Sequence, residues 1–158
     1  MQLRFLQKNK EEKDMIIAVA GSGGKTTRVH KLAQYYRSLG KKVFVTTTTH
    51  MKKESDTVIP ENIEDIRKQL NETGYCMAGM PATPENALVQ KIGPLPEDFY
   101  ETAVKEADIT LIEADGSRGM PAKIPADYEP VIHENIDEIH IVIGMSALGK
   151  PASKVVHR

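Results

Sequence analysis

The chain has 158 residues, 40% of them hydrophobic, and its 21 Lys and Arg residues nearly balance 22 Asp and Glu residues. This composition fits one α/β domain with a sizeable core and excludes collagen-like, disulfide-scaffold and wholly disordered proteins. Because there is no basic excess to neutralise a nucleic-acid backbone or an anionic membrane surface, we expect neither as a partner. A small anionic ligand is not excluded, because it needs only a local positively charged site.

The single cysteine, Cys76, excludes an intrachain disulfide and a multi-thiolate zinc site, and it fits a reducing compartment. Residues 1–14 mix apolar and charged side chains and lack the apolar stretch of a signal peptide. No segment is apolar over the ~18 residues that a membrane-spanning helix needs. The sequence therefore predicts a cytoplasmic protein.

The N-terminal half predicts a strand, a glycine-rich loop, a helix and a second strand. Residues 15–20 form an unbroken apolar run, typical of a strand buried on both faces of a parallel sheet. From Lys25, apolar residues recur at helical spacing as far as Leu39, and Gly40 stands where a C-terminal cap belongs. The β-branched and aromatic residues 43–49 predict the next strand.

The remainder predicts further helix and strand pairs separated by proline-rich segments. Apolar residues at helical spacing predict two helices, at residues 60–74 and 96–107. Short apolar runs predict three strands, at residues 75–78, 109–112 and 139–143. Repeated prolines predict a loop or small hairpin and then a long loop, at residues 81–96 and 116–135.

This order of elements predicts an α/β fold with a three-layer, doubly wound, mostly parallel sheet of the P-loop NTPase type. We expect residues 1–158 to form a single P-loop NTPase-like domain. Because no helix is predicted after Gly149, the last strand would lack the crossover helix that usually covers it. We therefore expect a polypeptide truncated at its C-terminus.

The loop between the first strand and helix reads Gly-Ser-Gly-Gly-Lys-Thr-Thr. Glycines there let backbone N–H groups converge on phosphate oxygens at a helix N-terminus, whose partial positive charge favours an anion. Lys25 is expected to contact the β- and γ-phosphates, Thr26 to join the magnesium shell, and Thr27 to make a secondary phosphate contact. The predicted nucleotide-binding residues are Gly21, Ser22, Gly23, Gly24, Lys25, Thr26 and Thr27.

The loop departs from the Walker A pattern, which places a glycine where this chain has Val19. A glycine turn that only packs a helix against a strand is the alternative explanation. The Lys-Thr-Thr ending and the strand and helix on either side favour phosphate binding, with Mg²⁺ and ATP or GTP as the ligands. ATP and GTP are not distinguished, since the motif Asn-Lys-x-Asp is absent.

Two carboxylates, Glu113 and Asp115, follow the buried strand at residues 109–112. P-loop proteins use a carboxylate at the end of a neighbouring strand to hold Mg²⁺ through water. Because strand side chains alternate, we expect both to share one face, where one holds the metal and the other orients a water. As the metal carboxylate, Asp115 ranks slightly above Glu113. An acidic turn after an edge strand is the alternative, which the phosphate loop makes less favoured.

Two weaker groups of residues complete the predicted site. Thr47, Thr49 and His50 lie at the carboxyl end of the second strand and are candidates for substrate or switch contacts. Arg118 and Lys123 follow the acidic strand end, where a cation stabilises charge on a transferred phosphoryl group or holds an anionic substrate. Lys123 joins the substrate or switch candidates, and the catalytic candidates are Arg118, Lys25, Glu113 and Asp115. Strand-forming threonines, a surface histidine and solvated cations are the alternatives.

Three separated motifs resemble the YqeC family over residues 15–149: Ala-Gly-Ser-Gly-Gly-Lys-Thr-Thr, Thr-Thr-Thr-Thr-His-Met, and Glu-Ala-Asp-Gly-Ser-Arg with the prolines that follow. The resemblance implies an accessory factor for selenium-dependent molybdenum hydroxylases, acting in maturation of a selenium-containing molybdenum cofactor. A molybdenum hydroxylase or its cofactor precursor would then be the partner. The loop alone also resembles that of Mur ligases, which activate a carboxylate with ATP, although no ligase acceptor domain is visible.

Three kinds of function follow from these motifs. The leading hypothesis is a magnesium-dependent NTPase or nucleotide-using transferase. The second is a nucleotide-gated chaperone or insertion factor whose loops at residues 46–50 and 116–129 order around the γ-phosphate and dock a client. The third, motivated by Val19, is a P-loop that serves only as scaffold.

Overall fold

The computed structural model describes residues 15–157. Residues 1–14, for which the sequence predicts no signal peptide, and Arg158 lie outside that range. The described elements follow in this order: β1 (Met15–Gly21), α1 (Lys25–Ser38), β2 (Val43–Thr47), β3 (Met51–Lys52), α2 (Ile63–Thr73), β4 (Tyr75–Met77), β5 (Met80–Pro81), β6 (Lys91–Gly93), α3 (Glu97–Glu106), β7 (Ile109–Glu113), β8 (Ala122–Lys123), β9 (Glu138–Val142), a 3₁₀ helix (Met145–Ala147), α4 (Ala152–Val155) and β10 (Val156–His157).

A central sheet of five strands has the order β4-β2-β7-β1-β9, and every neighbouring pair is parallel. Helix α1 packs on one face through Val29, Leu32 and Ala33. Helices α2 and α3 pack on the other face, in a second apolar cluster. The predicted three-layer, doubly wound α/β sheet of the P-loop NTPase type is therefore confirmed.

Local sequence explains where the first strand and the second helix lie. In β1, the alternation of side chains sends Ile17 and Val19 into the α1 cluster and Ile16 into the opposite cluster. Helix α2 begins after Asn62, whose side chain accepts a hydrogen bond from the N–H of Glu64 in a capping box. Its predicted start at residue 60 was therefore three residues early.

Other boundaries also differ from the prediction. Strand β2 ends at Thr47 rather than at residue 49, because the Thr47 hydroxyl accepts a hydrogen bond from the N–H of Thr49 and closes a turn. Leu39 lies beyond α1 and is 56% exposed, since the chain turns away from the sheet there. The prediction of no helix after Gly149 is wrong, because α4 forms a short helix that buries Val155.

A small antiparallel sheet, with the order β3-β6-β5, follows the carboxyl end of β2. It contains the small hairpin that was one alternative for residues 81–96, with β3 as an added third strand. Met51 on β3 and its register partner Ile92 on β6 are buried in the α1 cluster. This apolar pair anchors the small sheet to the main core.

Strands β8 and β10 form a separate parallel pair within and beyond the predicted loop at residues 116–135. Strand β9 is an edge of the central sheet, and Ile139 and Ile141 on it are at least half exposed. Among residues 15–157, no helix combines the length and apolar character needed to traverse a bilayer.

Candidate functional site

A cleft of about 540 Å³ opens at the carboxyl ends of β2 and β7 and at the N-terminus of α1. Open α/β sheets bind their ligands at this edge. The cleft is lined by residues 23–27, residues 49–52, Lys91, Glu113 and residues 116–119. It thus gathers the phosphate loop, the acidic strand end and the loop after β2, as the sequence predicts, and adds a side chain from β6.

The phosphate loop leaves the N-terminus of α1 uncapped towards the cleft. Gly24, which precedes the helix, makes no side-chain cap, and the first turn carries no acidic residue. Unpaired N–H groups at a helix start are an anion site. Gly23 has φ of +73°, and a Cβ there would lie 2.6 Å from Gly144 Cα and 2.7 Å from the Pro121 oxygen. Only glycine fits this position without displacing backbone.

The first two loop residues are engaged within the protein. The N–H of Gly21 donates to Asp115 Oδ2 over 2.8 Å, and the N–H of Ser22 donates to the Val142 oxygen over 2.7 Å. The reason is that pairing of β1 with β9 continues through Gly21, which aligns with Val142. Gly21 and Ser22 thus already donate their N–H groups within the protein, and among the described residues the backbone donors left for a ligand begin at Gly23. The assignment of residues 21–27 to nucleotide binding stays a prediction.

Lys25 lies at the start of α1 and is 4% exposed. Its ammonium donates to the Gly21 oxygen over 2.9 Å and to Ser117 Oγ over 3.3 Å. It also lies 3.3 Å from Asp115 Oδ1, which accepts no hydrogen bond from the described residues, so that contact is electrostatic. A bound phosphate would compete with these partners for the same ammonium.

Thr26 at the start of α1 contacts Glu113 at the end of β7. The Thr26 hydroxyl donates to Glu113 Oε2 over 2.8 Å. Burial raises the pKa of Glu113, and the charge of Asp115 adds to this, while the Thr26 hydrogen bond and Lys25 oppose it. A hydroxyl and a buried carboxylate at a helix start are hard oxygen ligands, the class that Mg²⁺ prefers.

Asp115 has different neighbours from Glu113, although the two are only two residues apart. Strand β7 ends at Glu113, so the alternation that was expected to continue to residue 115 stops there. Asp115 accepts the Gly21 N–H and lies against the ammonium groups of Lys25 and Lys123. Among the described contacts, it is Glu113 that reaches the Thr26 hydroxyl.

Lys123 lies on what we call the reverse face of the phosphate loop, made of Asp115, Lys123 and Glu129. Its side chain is 3% exposed, and its ammonium is 3.2 Å from Asp115 Oδ2 and 2.8 Å from Glu129 Oε2. It also donates to the Gly116 oxygen over 2.7 Å. Lys123 lines a smaller pocket of about 140 Å³ rather than the cleft, and its role as a substrate-contacting residue stays a prediction.

The other predicted side chains divide between support and cleft. Thr47 is buried, and its hydroxyl donates to the Glu113 oxygen over 2.7 Å, so it supports the acidic strand end from behind. Thr49, His50 and Arg118 line the cleft. Arg118 is exposed, and its φ of +48° places a non-glycine residue in the left-handed region. Such strain is concentrated at functional loops.

Several residues of the cleft and of the reverse face were not predicted from the sequence. Lys52 and Lys91 line the cleft from β3 and β6, and no local pattern joins them, since only the small antiparallel sheet brings them together. Glu129 was not predicted as a site residue, although it lies in the proline-rich segment that follows the third family-like motif. Ser117, within the Gly-Ser-Arg run, contacts Lys25.

Within residues 15–157, no group of three or more His, Cys, Asp or Glu side chains is placed to hold a metal ion. A protein-only metal cage is therefore not found in this part of the chain. Mg²⁺ does not need one, because it takes few protein ligands and keeps waters and substrate phosphates. The Thr26 hydroxyl and Glu113 fit that coordination chemistry.

Comparisons with known proteins agree with this architecture. The family model described as "YqeC protein" matches residues 17–158. The chain is 31% identical to the uncharacterized protein YqeC of Escherichia coli K12 over 169 residues, covering 94% of this chain and 59% of that relative. It is 30% identical to the signal recognition particle 54 kDa protein of Hyperthermus butylicus over 147 residues, covering 91% of this chain and 30% of that relative.

The chain thus spans less than two thirds of the length of either relative. No solved structure matches it. The family match covers the phosphate loop, the Thr26–Glu113 contact and the reverse face together. The chain belongs to the YqeC family.

Proposed function

We propose that this chain binds a nucleoside triphosphate together with Mg²⁺ in the cleft. The observation that carries the proposal is the hydrogen bond from Thr26 to the buried Glu113, beside Lys25 at the uncapped start of α1. A hydroxyl, a carboxylate and a lysine in this relation are the parts with which P-loop proteins hold a magnesium nucleotide. The similarity to the signal recognition particle 54 kDa protein supports the same assignment.

The residues take separate roles in this proposal. The N–H groups of residues 23–27 bind phosphate oxygens, and Lys25 exchanges its internal partners for the terminal phosphates. Thr26 and Glu113 would hold Mg²⁺, which would neutralise part of the phosphate charge. We rank Glu113 above Asp115 as the metal carboxylate, because Asp115 is already engaged by Gly21 and two lysines.

For the reaction, we propose hydrolysis of, or group transfer from, the bound nucleotide. Arg118 lines the cleft, and its charged side chain is exposed there. It is the candidate for stabilising negative charge on the transferred group. The family resemblance supports an accessory role in maturation of selenium-dependent molybdenum hydroxylases, with the hydroxylase or its cofactor precursor as partner. The single cysteine, which fits a reducing compartment, supports a cytoplasmic location for this role.

Isothermal titration calorimetry with ATP and GTP, with and without Mg²⁺, tests the binding step. We expect Lys25→Ala to weaken binding roughly 10- to 100-fold, since a hydrogen bond to a charged group contributes about 1.5–3 kcal/mol. The matched control is Lys31→Ala, which removes an exposed lysine from the same helix. Equal affinity of Lys25→Ala and the control, or no binding by the native chain at millimolar nucleotide, would contradict the proposal.

A nucleotide-gated docking factor is the second candidate, and one contact favours it. Lys25 donates to Ser117 in the loop that follows the acidic strand end, so a phosphate that draws Lys25 away also releases that loop. Phosphate-release assays separate the two functions. Turnover with a small-molecule acceptor favours the enzyme, whereas slow hydrolysis that only a client hydroxylase accelerates favours the docking factor.

A further inference from the structure

Two lysines on the small antiparallel sheet stand side by side in the cleft. Lys52 on β3 and Lys91 on β6 are register partners, and both line the cleft. Like charges directly opposite each other across an antiparallel pair destabilise the sheet. Both side chains are exposed, and within residues 15–157 neither forms an ion pair with a carboxylate. An anion between the two ammonium groups would relieve the repulsion.

The topology places this pair away from the phosphate loop. The loop follows β1, Glu113 ends the neighbouring strand β7, and β2 lies on the far side of β7 from β1. Strand β3, with Lys52, comes directly after the turn that ends β2. The lysine pair therefore follows β2, which is separated from β1 and its loop by β7, and lines the same cleft as the Thr26–Glu113 contact.

The charge of the cleft also exceeds what a magnesium nucleotide requires. Four Lys or Arg side chains line it, against the single carboxylate of Glu113. Lys25 and the metal neutralise part of the triphosphate charge, and Arg118 is placed on the loop after β7. Lys52 and Lys91 remain, on the small antiparallel sheet. Two ammonium groups side by side match a dianion, and lysine binds phosphate as a point charge.

We propose that Lys52 and Lys91 form a subsite for a second substrate that carries a phosphate group. The proposal rests on the proposed function for where the nucleotide lies, but the lysine pair itself belongs to the small sheet and not to the phosphate loop. The adjacent Lys53 is also exposed but does not line the cleft. It is therefore a matched control for loss of one positive charge.

The test titrates inorganic phosphate into protein saturated with Mg²⁺ and a non-hydrolysable nucleotide, followed by amide NMR shifts. We expect the amides of β3 and β6 to shift, and Lys52→Ala or Lys91→Ala each to weaken phosphate binding about tenfold. Lys53→Ala should change it less than about twofold, because its charge is outside the subsite. Phosphate binding that is unchanged in Lys52→Ala and Lys91→Ala overturns the proposal. A tenfold loss of nucleotide affinity in Lys52→Ala or Lys91→Ala also overturns it, because that result would assign the lysines to nucleotide binding.

A second arm separates this proposal from the nucleotide proposal. Phosphate is titrated without nucleotide into Lys25→Ala, in which the phosphate loop lacks its cation. Shifts at β3 and β6 that persist there, and disappear in Lys25→Ala combined with Lys52→Ala, support the subsite even if no nucleotide binds. Shifts confined to residues 23–27, or no shifts at all, reject the subsite whether or not nucleotide binding succeeds.

Discussion

The cleft and the reverse face lie on two sides of one phosphate loop, and each has a carboxylate from the same short segment. On the cleft, Glu113 is buried beside a neutral hydroxyl, and its pKa is raised above the ordinary value because burial is not offset by a close cation pair. On the reverse face, Asp115 lies within 3.3 Å of two ammonium groups and accepts a backbone N–H. The carboxylate without a close cation thus lies on the cleft, and the carboxylate between two cations lies on the reverse face.

This difference separates ligand binding from loop support. A buried carboxylate without a matching cation is poised to accept one, and such groups are enriched at functional sites. A carboxylate between two lysines and a glycine N–H instead holds its surroundings together. If the division is correct, substitutions on the reverse face should mainly lower stability, and substitutions on the cleft should mainly change binding.

The largest effect is expected from Asp115→Asn. Asparagine keeps an acceptor for the Gly21 N–H but leaves Lys25 and Lys123 without the carboxylate that both contact. Breaking a buried ion pair from one side costs about 3–5 kcal/mol, and we expect the free energy of unfolding to fall by that amount. Urea unfolding followed by circular dichroism measures it.

Asp127→Asn is the control, because Asp127 is exposed on the same long loop and should change stability by less than about 0.5 kcal/mol. Magnesium dependence of nucleotide binding should survive in Asp115→Asn. Native stability together with lost magnesium dependence would reverse the assignment and make Asp115 the metal carboxylate, as the sequence ranking had it.

Alanine substitutions at Gly23 and Gly24, in the phosphate loop, are expected to cause an intermediate loss of stability. An alanine Cβ at position 23 meets backbone atoms of Gly144 and Pro121 below 3 Å, whereas at Gly24 the nearest atom is a Val142 methyl at 3.8 Å. Gly23→Ala should therefore cost about 2–4 kcal/mol from strain and overpacking, and Gly24→Ala only about 1–2 kcal/mol from its left-handed backbone. Thermal or urea unfolding of both variants compares them. Equal losses would show that Gly23 is not tightly packed against Gly144 and Pro121.

The fold was predictable because its signals are local. The apolar run at residues 15–20 and the apolar residues of α1 at helical spacing each identify an element without reference to the rest of the chain. Approach of Glu113 to Thr26 followed from a general rule, since the carboxyl ends of parallel strands meet at one edge of a sheet.

The different contacts of Glu113 and Asp115 could not be predicted from local sequence patterns. They depend on β7 ending at Glu113 and on Lys123 and Glu129 returning behind the loop, from a segment with no periodicity. The lysine pair of the cleft depends on antiparallel pairing of β3 with β6. Such contacts are set by tertiary packing, for which residue patterns give no direct signal.

The smallest change in stability, with the opposite sign, is expected from Glu113→Gln. Because the pKa of Glu113 is raised on folding, the folded chain binds more protons than the unfolded chain between the ordinary glutamate pKa of about 4.3 and the raised value. Native stability should therefore fall as pH rises through this window. Glutamine removes the buried charge but still accepts the Thr26 hydrogen bond, so we expect a gain of about 0.5–2 kcal/mol above the window.

The gain should vanish at low pH, where Glu113 is protonated in both states, so urea unfolding across pH checks its sign as well as its size. The same variant should lose the magnesium dependence of nucleotide binding, because a neutral amide does not hold a metal-bound water as a carboxylate does. Since Asp115→Asn is expected to do the reverse in both respects, the pair of variants distinguishes the two faces. A loss of stability in Glu113→Gln at neutral pH would place Glu113 with the supporting residues.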